Sequence, residues 1–167
     1  MVEYKGNKNV VELSALLQRE SPRCLAIVGA AFFDETLARL LGDTKERCFF
    51  DRIEDALDYS LLSPNEHHDL HVVRRLRNEF AHDLRTNSFD ESRTVTVDSM
   101  ETWKYICTAN PHYPRLYPTA ADRLLYVIGV IAFRLQHRAK SPSKTGPLPE
   151  PDYISDPDEW PPTVSGV

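Results

Sequence analysis

SPNEHHDLHVVRRLRNEFAHDL, Ser63 to Leu84, is the stretch whose reading decides the fold. Ser63-Pro64-Asn65-Glu66 has the form of a helix start. A serine N-cap accepts a backbone N–H, Pro64 sits where a missing N–H costs nothing, and Glu66 can bond back to the cap. At about 100° per residue, Leu70, Val73, Leu76, Phe80 and Leu84 fall in one arc, so the apolar period is helical. A helix running to about Asp83 is predicted, with that arc turned to a core.

Working outward, the same signals recur. Ser21-Pro22 opens a helix that runs to about Leu41 and closes at Gly42. Inside it, Gly29-Ala30-Ala31 lets another helix approach closely, and Asp34-Glu35 places two carboxylates in an apolar stretch, where they need partners. A weaker amphipathic helix is predicted from Val10 to Arg19, capped by Asn9, and another from Phe50 to Tyr59. Thr94 to Cys107 reads two ways, strand-like at Thr94–Val97 and helical from Met100. Three prolines make Asn110 to Pro118 a loop, after which Thr119 caps a last helix to about Arg138. Its middle, Leu124 to Phe133, is apolar all round and should be the central core element. The sum is an all-α, single-domain helical bundle over residues 1–140. Residues 141–167 hold seven of the 12 prolines and five acids against Lys144 alone, and are expected to form an extended, proline-rich acidic tail.

Composition narrows the function classes. A hydrophobic content of 41% supports a core, so the chain is not disordered throughout. The net charge of -5 argues against a surface that is cationic all over, although residues 1–140, with 19 basic and 20 acidic groups, leave room for a local basic patch. The longest apolar run has ten residues, about half of the roughly 20 needed for a membrane span. Met1 to Lys8 is polar, unlike a secretory signal, so a cytoplasmic location is expected. Cys24, Cys48 and Cys107 form neither a disulfide framework nor a Cys-x-x-Cys pattern and read as reduced, mostly buried thiols. Phosphate loops, nucleophile elbows and Cys/His clusters are absent from the sequence, so no cofactor is assigned. Direct DNA reading is not expected, because the only exposed-type cluster of Arg134, Gln136, His137 and Arg138 sits at a helix end, where cations complement the dipole.

The Ser63–Leu84 helix carries most of the chemistry. Arg77 falls inside the apolar arc, and a core-facing guanidinium needs a counter-ion, so an ion pair of Arg77 with Asp34 or Glu35 is predicted. On the other flank His67, His71, Asn78 and His82 gather within roughly 60°, with Arg74 and Arg75 at the margins. His67 and His71 have the i, i+4 spacing that can share a metal ion, but no third ligand lies on the same face, and no metal is assigned. As nucleic-acid chemistry, His82 would be the general acid or base, Arg77 or Arg75 would stabilise phosphorane charge, and Asn78 would orient. As a structural set, Asn78 and His82 bond to backbone or to a neighbouring chain.

Leu70-His71-Val72-Val73 followed by Arg74-Arg75-Leu76-Arg77-Asn78-Glu79-Phe80-Ala81-His82 resembles the central motif of the mannitol operon repressor family. The similarity extends to Cys24–Leu41, through Gly29-Ala30-Ala31-Phe32-Phe33-Asp34-Glu35-Thr36-Leu37, and to Phe89-Asp90. The resemblance implies an all-helical cytoplasmic transcriptional regulator, not an enzyme, that acts through protein partners. Arg77-Asn78-x-x-x-His82 is also similar to the motif of the HEPN superfamily, helical bundles that include metal-independent endoribonucleases and RNA-binding modules. That likeness implies a site of Arg77, Asn78 and His82 at a dimer interface. The first expectation is therefore a homodimeric regulator that meets a protein partner through His71, Arg74, Arg75, Asn78 and His82. The second is an endoribonuclease or RNA-binding module built on the same motif.

Overall fold

The computed structural model describes residues 8–43, 46–85, 88–89 and 96–140. Seven α-helices follow one another there: α1 (Lys8–Leu17), α2 (Pro22–Leu41), α3 (Phe49–Asp58), α4 (Pro64–His82), α5 (Glu101–Ala109), α6 (Tyr113–Leu116) and α7 (Ala120–Lys140). A 3-10 turn, Val97–Ser99, precedes α5, and no strand occurs among the described residues. The expected tail from 141 onward lies outside them, as does Asp90.

The caps explain why the helices start and stop where they do. Ser21 Oγ accepts from the Cys24 N–H at 3.2 Å. At the far end of α2, Gly42 takes φ 61°, a left-handed value that glycine adopts without penalty. The Gly42 and Asp43 N–H groups then close back on the carbonyls of Arg39 and Ala38. At α4 both halves of the capping box form: Glu66 N–H donates to Ser63 Oγ, and Ser63 N–H donates to Glu66 Oε2. Thr119 caps α7 as predicted, accepting from the Asp122 N–H at 3.1 Å. The start of α5 has no cap of its own; buried Asp69 of α4 supplies it, accepting from the N–H groups of Glu101 at 2.7 Å and Thr102 at 2.8 Å.

The core gathers around α7, whose Leu124, Val127, Ile128, Ile131 and Leu135 are buried. At Gly29 α2 and α7 pack closely: a Cβ placed there would lie 2.7 Å from Ile128 Cδ1, the flexible end of a side chain that would have to shift. Leu25, Phe33 and Leu37 of α2 and Leu70, Val73, Leu76 and Phe80 of α4 complete the middle of the core. Arg23, at the start of α2, donates to the carbonyls of Phe80 and Asp83 at the end of α4, so these two helices run antiparallel.

Several expectations are corrected. α1 begins at Lys8, which puts Asn9 inside the helix and not at its cap. The Asn110–Pro118 loop contains α6, with Pro114 in the first turn, where its fixed φ suits a helix. Tyr113 is buried and stacks on Tyr117, both packed against Tyr126. Of the two readings of Thr94–Cys107, the helical one holds from Glu101 onward. Leu84, placed in the core-facing arc, is 81% exposed, because α4 stops at His82 and the chain turns away. The thiols are free, but Cys48 is exposed and the other two are only half-buried.

Candidate functional site

One polar stripe on α4 is divided in two by its neighbour. α3 lies antiparallel against α4: Phe50 at its start meets Arg74 and His71, and Glu54 one turn later meets His71 and His67. Ten residues of α3, about 15 Å at 1.5 Å each, cover only the first part of α4. Of that stripe His67, His71 and Arg74 are therefore half-buried, while His82 lies beyond the cover and is exposed; Arg75 at its margin and Arg77, on a different side of the helix, are exposed as well.

In the covered half, three donor atoms converge. His71 Nε2 lies 2.7 Å and His67 Nε2 3.0 Å from Glu54 Oε1, and the two nitrogens are 3.1 Å apart. The imidazole rings meet edge to face with centroids 4.5 Å apart. Hydrogen bonding with the His67 and His71 imidazoles holds the Glu54 carboxyl below the usual carboxylate range. Burial pushes His71 down from its ordinary value, against the pull of Glu54, and so favours the neutral imidazole. Phe50 packs on His71 at 5.3 Å, and the Arg74 guanidinium sits 5.2 Å above the same phenyl ring. The third ligand that the α4 face lacks thus comes from α3. A search of one helix face could not find Glu54, and its only trace in the sequence is its place four residues after Phe50 on an amphipathic helix.

The predicted ion pair of Arg77 with Asp34 or Glu35 is overturned. Asp34 is held by Arg52 of α3 at 2.6 Å, and Arg52 reaches Asp43 as well. Glu35 pairs with Arg39 one turn on, both exposed. Arg77 is exposed and, among the described residues, donates only to its neighbour, Asn78 Oδ1, at 2.9 Å. The link between α2 and α4 is made in the opposite sense, by Arg23 of α2 on the carbonyls that end α4. Asn78 is half-buried, and neither Arg75 nor His82 meets a carboxylate among the described residues. Of the five side chains expected to meet a partner, Arg75, Asn78 and His82 are available beyond α3. His71 and Arg74 belong to the covered half.

The buried ions are elsewhere. Glu66, with 0% of its side chain exposed, accepts two bonds from Arg138 at 2.8 and 3.0 Å, with Arg134 Nη1 at 3.7 Å. Arg138 also donates to the Leu61 carbonyl, fastening the end of α7 to the start of α4. The basic end of α7 therefore has a specific partner beyond the helix dipole. Its signal was Glu66 itself, whose capping role leaves room for a second duty.

Comparison of the chain with family models, with curated proteins and with solved structures finds no match to any of the three. Among the described residues, no helix is long and apolar enough to cross a membrane.

Proposed function

We propose that the protein is a non-enzymatic helical regulator of transcription that works by docking a protein partner on the uncovered end of α4, the role that its resemblance to the mannitol operon repressor family implies. The observation that carries this reading is the state of Arg75, Arg77 and His82. All three are exposed within about two turns of a well-anchored helix, without a carboxylate partner among the described residues. Two exposed guanidiniums without counter-ions among the described residues suit an acidic partner surface, with the His82 imidazole as a further polar contact and Leu84 as an exposed apolar one. A homodimer is part of this proposal. The test is co-purification from the native extract with wild-type protein and with the Arg75→Glu, Arg77→Glu double variant. A protein retained by the first and lost with the second supports the reading; identical recoveries from both contradict it.

The exposure of Arg77 also favours a second reading, a metal-independent endoribonuclease using Arg77, Asn78 and His82. A guanidinium free of carboxylates is available to a phosphate. Arg77 and His82 lie about 140° apart around α4, so a second chain would have to bring one of them to the other. Incubation with labelled single-stranded RNA in EDTA, beside His82→Ala, separates the readings. Cleavage that disappears with the substitution establishes the enzyme and removes the non-enzymatic proposal.

A further inference from the structure

We propose that Glu54, His67 and His71 form a binding site for a first-row divalent transition-metal ion of the zinc type, open to solvent on its remaining coordination positions. The site joins α3 to α4 and is independent of what docks on the far end of α4.

The argument begins with proton counting. Three contacts, of 2.7, 3.0 and 3.1 Å, link the three atoms pairwise, and each as a hydrogen bond needs a proton between its two atoms. An imidazole Nε2 has a single in-plane direction, occupied by either a proton or a lone pair, and an ionised carboxylate has no proton. Two nitrogens therefore supply at most two protons for three contacts. If both N–H groups point at Glu54, two donors face each other at 3.1 Å. A cation among the three atoms removes the conflict, because both lone pairs and the carboxylate oxygen then point at one positive centre.

The distances fit such a centre. Metal–nitrogen and metal–oxygen bonds of about 2.1 Å at right angles set neighbouring ligand atoms about 3.0 Å apart, and tetrahedral angles set them about 3.4 Å apart. The observed triangle matches one face of an octahedron and needs only a slight expansion for a tetrahedron. Two imidazoles and one carboxylate suit zinc, cobalt, nickel or ferrous ions, whereas magnesium and calcium prefer all-oxygen sets. His67 and His71 are largely buried on the helix that Ser63 and Glu66 anchor, so the two nitrogens are pre-positioned. The Glu54 side chain is 43% exposed, which leaves solvent access for water or an outside ligand at the other positions. A set of three protein ligands with an open position is the pattern of reactive zinc sites; structural sites close all four.

The experiment titrates zinc into the full chain after EDTA treatment and dialysis, by calorimetry, with cobalt absorption as a second readout. One ion per chain, bound in the micromolar range or tighter, is expected. Glu54→Gln and His67→Gln should each weaken binding by about 100-fold or more, since even groups that only orient ligands cost about 10- to 100-fold. His112→Ala and His137→Ala should leave it unchanged. Far-UV circular dichroism of each variant in EDTA verifies the fold, and Glu54, lying partly in solvent, is the safe position. Wild-type protein that fails to saturate overturns the proposal. So does a Glu54→Gln variant that binds like wild type, loss of binding in an exposed-histidine control, or displacement of zinc by millimolar magnesium. Partner docking enters none of these measurements, so its failure and the failure of the site are distinguishable.

Discussion

Replacing Arg138 with alanine removes the two guanidinium bonds to the Glu66 carboxylate, at 2.8 and 3.0 Å, together with the bond to the Leu61 carbonyl. Glu66 is fully enclosed and cannot turn to water. Removing one partner of a buried ion pair costs about 3 to 5 kcal/mol. Two contacts survive here, the Ser63 N–H at 2.9 Å and Arg134 at 3.7 Å, so the low end applies and the expected loss is about 3 kcal/mol. For a chain of this size that is a fall in Tm of about 6 to 12 °C. Arg77→Ala is the control: with only an exposed bond to Asn78, it should stay within about 0.5 kcal/mol of wild type. Urea unfolding followed by far-UV circular dichroism, with equal m-values for the three proteins, gives both numbers. An Arg138→Ala loss under about 1 kcal/mol, or an Arg77→Ala loss of similar size to it, would refute the assignment of the buried ion pair.

Further outcomes follow from the same contacts. Asp69→Ala should cost about 2 to 3 kcal/mol, because two backbone N–H groups at the start of α5 lose a charged acceptor. Hydrogen exchange should be faster at Glu101 and Thr102 first, and unchanged protection there would contradict the cap. Gly29→Ala should fall within about 1 kcal/mol of wild type, since the helix gains about what displacing the flexible tip of Ile128 costs, while Gly29→Val should cost at least about 2 kcal/mol. Equal unfolding midpoints for the two variants would remove the close approach of α2 and α7. Burial beside Tyr113 and Asp122 pushes the Tyr117 phenol up to about 12 from an ordinary value near 10. The unfolded chain therefore loses this proton first. The contribution of Tyr117 to stability is complete below pH 10 and is lost as pH rises toward about 12. The phenolate absorbance of Tyr117, taken as the difference between wild type and Tyr117→Phe, should rise in the native protein only toward about pH 12; a rise near pH 10 would exclude the buried aromatic cluster.

Local chemistry was legible and lateral reach was not. Ser21-Pro22 with Gly42, the Ser63–Glu66 box and Thr119 each act within a few residues of chain, so their outcome depends on little else. The apolar middle of α7 could be placed because a helix without a polar face has nowhere to go but inside. Arg77 was misread for a different reason. Periodicity gives an angle around a helix, not the distance that a neighbour extends along it. Glu66 and Leu70 lie near the same angle as Arg77 and are buried, because the start of α4 is covered; two turns later that side of α4 has no cover. Glu54 escaped notice for the complementary reason, since a constellation that spans two helices has no fixed spacing in sequence.

The length of α3 thus decides what α4 does. Had α3 begun two turns earlier, its side chains would reach Asn78 and His82, and the whole stripe would be a helix interface with nothing left for a partner. Because it begins at Phe49, the aromatic and carboxylate groups of its first turns stop at Arg74. One run of like residues then yields two environments. The histidines under α3 lose water, and burial drives His71 toward the neutral form in which an imidazole is a ligand. The guanidiniums of Arg75 and Arg77 stay exposed, the condition in which they can attract an acidic surface. A metal ion held between α3 and α4 would fix the boundary between the two halves without touching the exposed one. Zinc should therefore raise the unfolding temperature of the chain while leaving recovery of any Arg75- and Arg77-dependent partner unchanged. A partner gained or lost with zinc would show that the two halves are coupled, and that the covered site controls the open one.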